Sequence, residues 1–298
     1  MRGERGEKMR RALTWFTFVA LLLTGSIAEA ADPKVIRMGL IPADDAAEML
    51  RNYEPLKQYL QGVIGIPVEL RVTMDYNAAI EAMRAKHIEM AWFGPFSYVL
   101  AREVAGAEAI VVGMRRDTGK TTYRTIFVTH RDSGIKSLRD LTGKSVAFVD
   151  PASTSGYLIP MSILKKQGYV PEKDFKATFF AGTHNAVELA VRNRKVDVGA
   201  DSDTSYGRMV KNGEIDPKIN VIIHESEPIP GSPIVVRGDL DPVLKKRLQK
   251  ALVDMEEQTI FQVRGWGDIV RYEPVSDGNY DLIRDVARIL NLNLKKSK

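Results

Sequence analysis

The segment DPASTSGYL, residues 150–158, places three hydroxyl side chains and a glycine behind a proline and before an apolar run with helical spacing. At the start of a helix the first backbone N–H groups lack partners within the helix, and the helix dipole favours a negative charge. The hydroxyls of Ser153, Thr154 and Ser155 can donate beside these amides, and Gly156 lets the backbone approach a ligand closely. Such a cradle suits a phosphate-like oxyanion. Helix capping is the simpler alternative and stays open, although it needs only one hydroxyl.

Two further strand-to-helix junctions carry residues that can contact an anion. The segment GTHNA, residues 182–186, contains His184, which can donate to an anion, cap the helix or pack in the core. Asp203 follows the apolar segment VDVGADS, and a carboxylate there repels a fully ionised ligand. The same carboxylate accepts a hydrogen bond from a ligand that carries a proton or an amine, so we expect Asp203 to contribute to selectivity. Asp201 is the alternative for this role.

Aromatic side chains at the ends of predicted strands can form the walls of a binding site. Tyr76 follows the second strand, Tyr206 lies shortly after Asp203, and Phe93 follows the third strand beside Trp92, which we interpret as a core residue. The motifs G-x-S-x-G, H-E-x-x-H, G-x-G-x-x-G and the Walker loop do not occur, and the four histidines show no metal spacing. The sequence therefore indicates no catalytic motif, no metal site and no nucleotide cofactor.

The elements that position these residues alternate between strand and helix along the chain, which is typical of an α/β fold. One series of strands and helices is followed by a second series that restarts near residue 123. We predict two lobes, each a mostly parallel sheet flanked by helices, with a ligand cleft between the lobes at the carboxyl ends of strands. The predicted boundaries are 31–120 for the first part of lobe 1, 121–227 for lobe 2, and 228–298 for the return to lobe 1 and the C-terminal helices.

The N-terminus has the three parts of a secretory signal peptide. A basic segment precedes the apolar run LTWFTFVALLLTG, and the segment AEA that ends at Ala30 matches the cleavage rule. We predict a signal peptide over residues 1–30 that is cut after Ala30. The apolar run is shorter than the roughly twenty residues that span a bilayer. Translation can begin at Met1 or Met9, since a signal that starts at Met9 is complete.

The composition of the chain limits which cellular compartment and which binding partners we expect for the protein. The chain has 298 residues and no cysteine, which excludes disulfides, thiolate metal sites and the cysteine that a lipid anchor needs. Export without an anchor predicts a free periplasmic protein. The formal net charge is +5, but outside the two termini the basic residues are spread out. This distribution argues against nucleic acid as a partner, because nucleic-acid binding needs a clustered basic footprint.

Four segments stand in the order YNAAIEAMRAKHIEMAWFGPFSYVLA, FVDPASTSGYLIPMSIL, AGTHNAVELAVRNRKVDVGAD and PIPGSPIVVR. With them, the chain resembles the phosphonate/phosphite substrate-binding proteins of ABC importers, a branch of the type II periplasmic binding proteins, from about residue 35 to residue 270. The resemblance implies an oxyanion held by Ser153, Thr154 and Ser155. It also implies contacts from a W-Y-G loop in lobe 1, from His184 and from Asp203.

The chain departs from the family pattern at one position of that loop. Where the family commonly has W-Y-G, this chain has Trp92-Phe93-Gly94, and Phe93 has no hydroxyl to donate to an anion. Either Tyr76, Tyr123 or Tyr206 replaces the missing hydroxyl, or the ligand differs.

The resemblance implies a periplasmic solute-binding component that closes its lobes on a small phosphorus oxyanion, which is a phosphonate, phosphite or phosphate. The closed form then delivers the ligand to a membrane permease with an associated ATPase. We expect a monomer without enzymatic activity. Two other classes stay open: the ligand-binding subunit of a sensory system with the same fold, and a secreted enzyme on this scaffold.

Overall fold

Short apolar strands alternate with amphipathic helices in the computed structural model, which describes residues 32–255 and 268–295. The predicted signal peptide over residues 1–30 and its cleavage site therefore lie outside the described residues. Within those two ranges, no helix is both long enough and apolar enough to cross a bilayer.

The strands are short, and several are buried along their whole length. In chain order they are β1 (Ile36–Leu40), β2 (Val68–Val72), β3 (Met90–Trp92), β4 (Glu108–Arg115), β5 (Thr122–Tyr123), β6 (Thr125–His130), β7 (Ser145–Phe148), β8 (Ala177–Phe180), β9 (Val198–Ser202), β10 (Asn220–Glu225), β11 (Ile229–Pro230), β12 (Pro233–Val236) and β13 (Ile269–Pro274). Every residue of β3, β6, β9 and β12 is buried, as expected for strands that are covered on both faces.

Five of the helices described here start behind a residue whose side chain caps them. In chain order the helices are α1 (Ala46–Ile64), α2 (Tyr76–Arg84), α3 (Pro95–Ala105), α4 (Ile159–Lys166), α5 (Pro171–Asp174), α6 (His184–Arg192), α7 (Asp203–Lys211), α8 (Pro242–Val253) and α9 (Asp281–Ile289). The side chains of Asp45, Asp75, Thr183, Ser202 and Asp241 each accept a hydrogen bond from the first turn of the helix that follows. These contacts satisfy backbone donors that the helix itself leaves unpaired.

The first sheet contains six strands in the order β13-β4-β12-β3-β1-β2. β1 pairs in parallel with β2 and β3, while β12 pairs antiparallel with β3 and β4, and β13 pairs antiparallel with β4. Buried residues of the strands, such as Met38 and Met90, share one apolar core with Leu56 and Leu60 of α1.

The second sheet contains five strands in the order β10-β6-β9-β7-β8. β7 pairs in parallel with β8 and β9, and β6 pairs antiparallel with β9 and β10. Phe127, Val146, Phe148 and Val198 of these strands form an apolar cluster with Leu164 of α4.

Two short segments connect the sheets. The chain leaves the first sheet after β4 and enters the second through β5, and it returns from β10 through β11 to β12. β5 and β11 pair antiparallel, with Tyr123 opposite Ile229. The two connecting segments therefore run side by side and form a small ladder of their own.

The α/β class with two helix-flanked sheets is confirmed, but the pairing differs in one respect from the mostly parallel sheets that the sequence predicts. Most strands of each sheet run in one direction, yet β6 runs against its neighbours in the second sheet, and β12 and β13 do so in the first. β6 and β12 enter their sheets directly from a connecting segment. No helix returns the chain to the starting end of the sheet before these strands, so they run antiparallel and the sheets are mixed.

Candidate functional site

The hydroxyl-rich segment folds as one π-helical turn, Thr154–Leu158, that continues into α4. We call residues 153–156 the hydroxyl turn. Ser153 caps it, because its Oγ accepts a hydrogen bond of 3.1 Å from the N–H of Gly156. The backbone of Gly156 lies against Val149, and a Cβ added to Gly156 would come within 2.3 Å of Val149 Cγ2. Glycine is therefore required for this wide turn, and all four residues of the hydroxyl turn, 153–156, are buried.

Asp150 and the hydroxyl turn meet two helices that flank the first sheet. Thr154 Oγ1 accepts a hydrogen bond of 2.7 Å from the backbone N–H of Phe96, in the first turn of α3. The backbone nitrogen of Tyr76, the first residue of α2, lies 3.5 Å from Asp150 Oδ2. The N-terminal ends of α2, α3 and the helix that begins in the hydroxyl turn therefore converge. Such a convergence of positive dipole ends favours an anion.

Two tyrosine hydroxyl groups reach the hydroxyl turn. Burial raises the pKa of Tyr123, and hydrogen bonding with the hydroxyl turn and with Ser232 opposes part of that rise. Burial also raises the pKa of Tyr76, whose phenol is hydrogen-bonded with Ser153. Phenols that stay protonated in this way can donate to an anion.

The other two aromatic candidates lie elsewhere. Phe93 is fully buried in the core of the first sheet, and its backbone N–H donates to the carbonyl of Pro233 at 3.1 Å. The hydroxyl of Tyr206 donates to the carbonyl of Asn220, on β10, at 2.7 Å. The structure thus brings Tyr76 and Tyr123 to the hydroxyl turn, whereas the hydroxyl of Tyr206 is committed to the second sheet.

His184 is the first residue of α6 and lies where the second sheet's helices meet the first sheet. Its backbone N–H donates to the carbonyl of Ala43, in the loop after β1, at 2.9 Å. Its Nδ1 contacts the carboxylate of Asp201, at the end of β9. Burial lowers the pKa of His184 to about 4, so the imidazole is neutral at neutral pH. Asp201, which the sequence offered as an alternative to Asp203, is therefore bound to the histidine.

Asp203 is the first residue of α7, and two donors hold its carboxylate. Oδ2 accepts a hydrogen bond of 2.5 Å from Nη1 of Arg115, and Oδ1 accepts one of 2.9 Å from the backbone N–H of Arg124. Arg115 belongs to β4, so this ion pair joins the two sheets. The sequence did not indicate Arg115 as the partner of Asp203, because no motif distinguishes Arg115 from the other basic residues of the chain.

A second ion pair between the sheets starts from the same helix. Arg208 of α7 contacts the carboxylate of Asp44, in the loop after β1, and Nη2 also donates to Asn185 Oδ1 at 2.7 Å. Its Nη1 lies 3.5 Å from Glu48 Oε1 of α1. Sequence reasoning missed Arg208, although Asp44 and Asn185 both stand just after predicted strands.

The groups collected here are hydroxyl groups and the starts of three helices, with the carboxylate of Asp150 beside them, in a buried region between two sheets. This set can replace the hydration shell of a small oxyanion without supplying a fixed positive charge to every oxygen. Among residues 32–255 and 268–295, no group of three or more histidine, cysteine or acidic side chains is arranged to hold a metal ion.

Comparisons with known proteins point the same way. The chain is 31% identical over 277 residues to the "Phosphate-import protein PhnD" of Mycolicibacterium smegmatis, covering 86% of each chain. It is 27% identical over 263 residues to the "Phosphonates-binding periplasmic protein" of Escherichia coli, covering 86% of this chain and 77% of that one. Among solved structures, a binding protein component of an ABC phosphonate transporter from Pseudomonas aeruginosa superposes with a TM-score of 0.80 at 24% identity, covering 87% of each chain.

Two mixed sheets joined by paired connecting segments, with a donor-rich buried region between them, define the class of type II periplasmic binding proteins. Residues 38–280 match the family described as "ABC transporter, phosphonate, periplasmic substrate-binding protein". The chain belongs to this family. Its members are periplasmic substrate-binding proteins of transporters, and their role is binding rather than catalysis.

Proposed function

We propose that this protein binds a small phosphorus oxyanion, which is a phosphonate, phosphite or phosphate, and delivers it to the permease of an ABC importer. One observation carries the proposal. Asp150 and Thr154 bond to the first backbone amides of α2 and α3, so the hydroxyl turn and the starts of helices from both sheets converge on one place. The names of the relatives, which refer to phosphate import and to phosphonates, support the same ligand class.

We assign the ligand contacts to the hydroxyl turn, with Tyr76 and Tyr123 as the tyrosine donors and His184 beside them. Hydroxyl hydrogens rotate freely, so Ser and Thr side chains that bond to protein groups can also donate to an anion. Phe93 and Tyr206 then act through packing, and Asp203 acts through Arg115. This assignment replaces the W-Y-G tyrosine of the family by a tyrosine of a connecting segment.

The two sheets and their helices are the proposed lobes, with residues 31–120 and 228–298 in lobe 1 and residues 121–227 in lobe 2. A ligand that contacts both lobes favours the closed state by its differential affinity for that state. The paired connecting segments β5 and β11 are the proposed hinge, because they are the places where the chain passes between the sheets.

We also propose that the mature protein is a free periplasmic monomer, released by cleavage after Ala30. Mass spectrometry of the exported protein should give a chain that starts at Ala31. A mature form that keeps its N-terminus or stays in the membrane fraction would contradict this proposal.

Calorimetric titration of the purified mature protein tests the ligand class directly. The ligands are methylphosphonate, an aminoalkylphosphonate, phosphite and phosphate, with sulfate as the comparison anion. Ser155→Ala should lower the affinity for the preferred ligand about 10- to 100-fold, because a hydrogen-bond donor to a charged group is lost. Ser162→Ala, which removes another buried hydroxyl from α4, is the matched control and should leave the affinity unchanged. Equal effects of the two variants, or no binding of any phosphorus oxyanion, would overturn the proposal.

A further inference from the structure

A buried polar cluster joins α6, β9 and β10 of the second sheet. Glu188, Asp201 and Asn220 are all 0% exposed. Nδ2 of Asn220 donates to Glu188 Oε2 at 2.7 Å and to the main-chain carbonyl of Glu188 at 2.9 Å. Asp201 Oδ1 accepts a hydrogen bond of 2.7 Å from the N–H of Ser202 and also contacts Nδ1 of His184. One oxygen of each carboxyl group is therefore already bonded to the protein.

The other oxygen of each carboxyl group lacks a donor. The side chains of Glu188 and Asp201 lie within hydrogen-bonding contact of each other. Within the described parts of the chain, neither Glu188 Oε1 nor Asp201 Oδ2 has a hydrogen-bond partner when both groups are counted as acceptors. Two ionised carboxylates in contact in a dry interior would repel each other strongly. A single proton on Glu188 Oε1, donated to Asp201 Oδ2, gives both oxygens a partner.

The packing of α6 on β9 leaves little room to relieve such a repulsion. The two elements lie close together at Gly199, where an added Cβ would come within 2.5 Å of Val187 Cγ1 and 3.0 Å of Val191 Cγ2. Val187 and Val191 are both fully buried, and Glu188 stands between them on the same helix. The carboxyl group of Glu188 can therefore reach water only if α6 moves away from β9.

We propose that Glu188 and Asp201 share one proton in the folded protein, and that this proton makes the attachment of α6 to β9 sensitive to pH. The attachment is stable while the pair holds the proton, and it loosens at alkaline pH, where both carboxyl groups would be ionised. α6 begins at His184, whose backbone N–H donates to the carbonyl of Ala43 beside the first sheet. Loosening of α6 therefore also affects the boundary between the two sheets.

Other ionisable groups face the carboxyl pair from the elements around it. Burial lowers the pKa of His184 to about 4, so its imidazole stays neutral at neutral and alkaline pH. Asp44, in the loop after β1, and Arg208, on α7, act on the aspartate of the pair with opposite signs, and they form an ion pair with each other. The phenol of Tyr206, on α7, interacts with the glutamate, and burial raises the pKa of Tyr206 to about 12. The histidine and the tyrosine therefore keep one protonation state over the neutral and mildly alkaline range.

The direction of the pH effect follows from the number of protons that each state binds. Burial and the neighbouring Asp201 raise the pKa of Glu188 well above its ordinary value. A glutamate in an unfolded chain has a pKa of about 4.3. At neutral pH the folded protein therefore holds one proton that unfolding releases. The free energy of unfolding then falls as the pH rises, until the folded pair itself loses the proton.

Carbon-13 nuclear magnetic resonance of the side-chain carboxyl groups tests the shared proton in purified, ligand-free protein. Wild type should show one protonated glutamate carboxyl group at neutral pH, and Glu188→Gln should lack this signal. The glutamine keeps the contacts of the cluster, because its amide can donate to Asp201 while its carbonyl accepts from Asn220. If every glutamate of the wild-type protein were ionised at neutral pH, the proposal would be wrong whether or not the variant folds.

Denaturant unfolding at a series of pH values tests the effect on stability. Between about pH 6 and about pH 8, the unfolding constant of the wild type should rise about tenfold per pH unit relative to that of Glu188→Gln, because unfolding releases one proton. Glu103→Gln, which neutralises an exposed glutamate of α3, is the matched control and should keep the wild-type pH dependence. Parallel pH dependences in wild type and Glu188→Gln would overturn the proposal.

Hydrogen exchange measured by mass spectrometry shows where the structure loosens. After correction for the intrinsic effect of pH, the amides of α6 should exchange faster at alkaline pH in wild type than in Glu188→Gln, while those of α8 should exchange alike. Equal exchange of α6 in the two proteins would contradict the loosening of this helix. These measurements need no ligand, so they test the shared proton even if the protein binds no phosphorus oxyanion.

Discussion

Thr154 illustrates how one hydroxyl can serve both the fold and the ligand. Its Oγ1 accepts the N–H of Phe96, a backbone donor at the start of α3 that would otherwise be buried without a partner. Its hydroxyl hydrogen remains available for another acceptor, because a hydroxyl can donate while it accepts. Ser153 caps the turn in the same region, so capping and anion binding are compatible uses of this segment rather than alternatives.

Thr154→Val tests this double role at the level of one atom. Valine keeps the shape of the threonine side chain but cannot accept the hydrogen bond from the Phe96 amide. Bringing the sheets together then leaves that amide unpaired, which costs about 1–3 kcal/mol of free energy. We expect the affinity for methylphosphonate to fall about 10- to 100-fold, with a smaller change in melting temperature. Thr129→Val is the matched control for losing a buried threonine hydroxyl. If both variants lowered the melting temperature alike and kept the affinity, Thr154 would have only a structural role.

Asp203→Asn distinguishes direct ligand contact from action through Arg115. Asparagine can still accept from the Arg124 amide with Oδ1, but it loses the charge that pairs with Arg115. If Asp203 acts through its ion pair with Arg115, the substitution should lower the affinities for methylphosphonate and for sulfate by the same factor. The reason is that only closure of the lobes is then affected. Asp117→Asn removes the other carboxylate that binds Arg115 and is the control. A loss confined to methylphosphonate would favour the direct contact that the sequence predicts.

At the scale of elements, the positions of the helix starts define the site. The helix that contains the hydroxyl turn begins with a π-helical turn, a wide form often found at functional sites. The turn is possible because Gly156 has no side chain where the backbone passes Val149. The N-terminal ends of α2 and α3 then face the hydroxyl turn across the boundary between the sheets.

Gly156→Ala should therefore destabilise the element itself. The new Cβ would lie 2.3 Å from Val149 Cγ2 and 2.4 Å from Val149 Cβ, so backbone or neighbour must shift. We expect the free energy of unfolding to fall by about 1–3 kcal/mol, measured by denaturant titration. Gly207→Ala is the control, because an added Cβ at that position of α7 meets nothing within 4 Å. A Gly156→Ala protein as stable as the control would show that the turn relaxes without cost.

At the scale of the whole molecule, α7 connects the two sheets. Its first residue, Asp203, pairs with Arg115 of β4, and Arg208 further along the helix pairs with Asp44 after β1. Both pairs join α7 to the first sheet, so they can form only while the sheets lie together. In the proposed closing motion, the ion pairs of α7 should therefore stabilise the closed form.

Arg208→Ala should shift the ligand-free protein toward an open form and weaken ligand binding. The carboxylate of Asp44 then loses its partner in a buried place, which disfavours closure. We expect a larger radius of gyration in small-angle X-ray scattering and an affinity for methylphosphonate that is lower by about tenfold. Arg288→Ala breaks an exposed pair with Asp285 on α9 and should change neither quantity. If both the radius of gyration and the affinity for methylphosphonate stayed unchanged in Arg208→Ala, Arg208 would have no role in closure.

The local structure and the class of protein follow from the sequence. Hydrophobic spacing and capping residues depend only on neighbours along the chain, so the alternation of strands and helices and the starts of α2, α6 and α7 could be predicted. The segment from Asp150 to Leu158 was recognisable for the same reason, since its hydroxyls and glycine are consecutive.

The meeting of distant residues depends on the tertiary structure. The contact of Tyr123 with the hydroxyl turn, the pairing of Arg115 with Asp203, and the Glu188–Asp201 contact each join residues that no periodic pattern relates. The antiparallel strand β13, which the sequence analysis missed, likewise needs β4 beside it. An arginine or a glutamate on a helix has the same local pattern whether it faces solvent or another element. Its role follows from burial and from the partner that the folded chain brings to it.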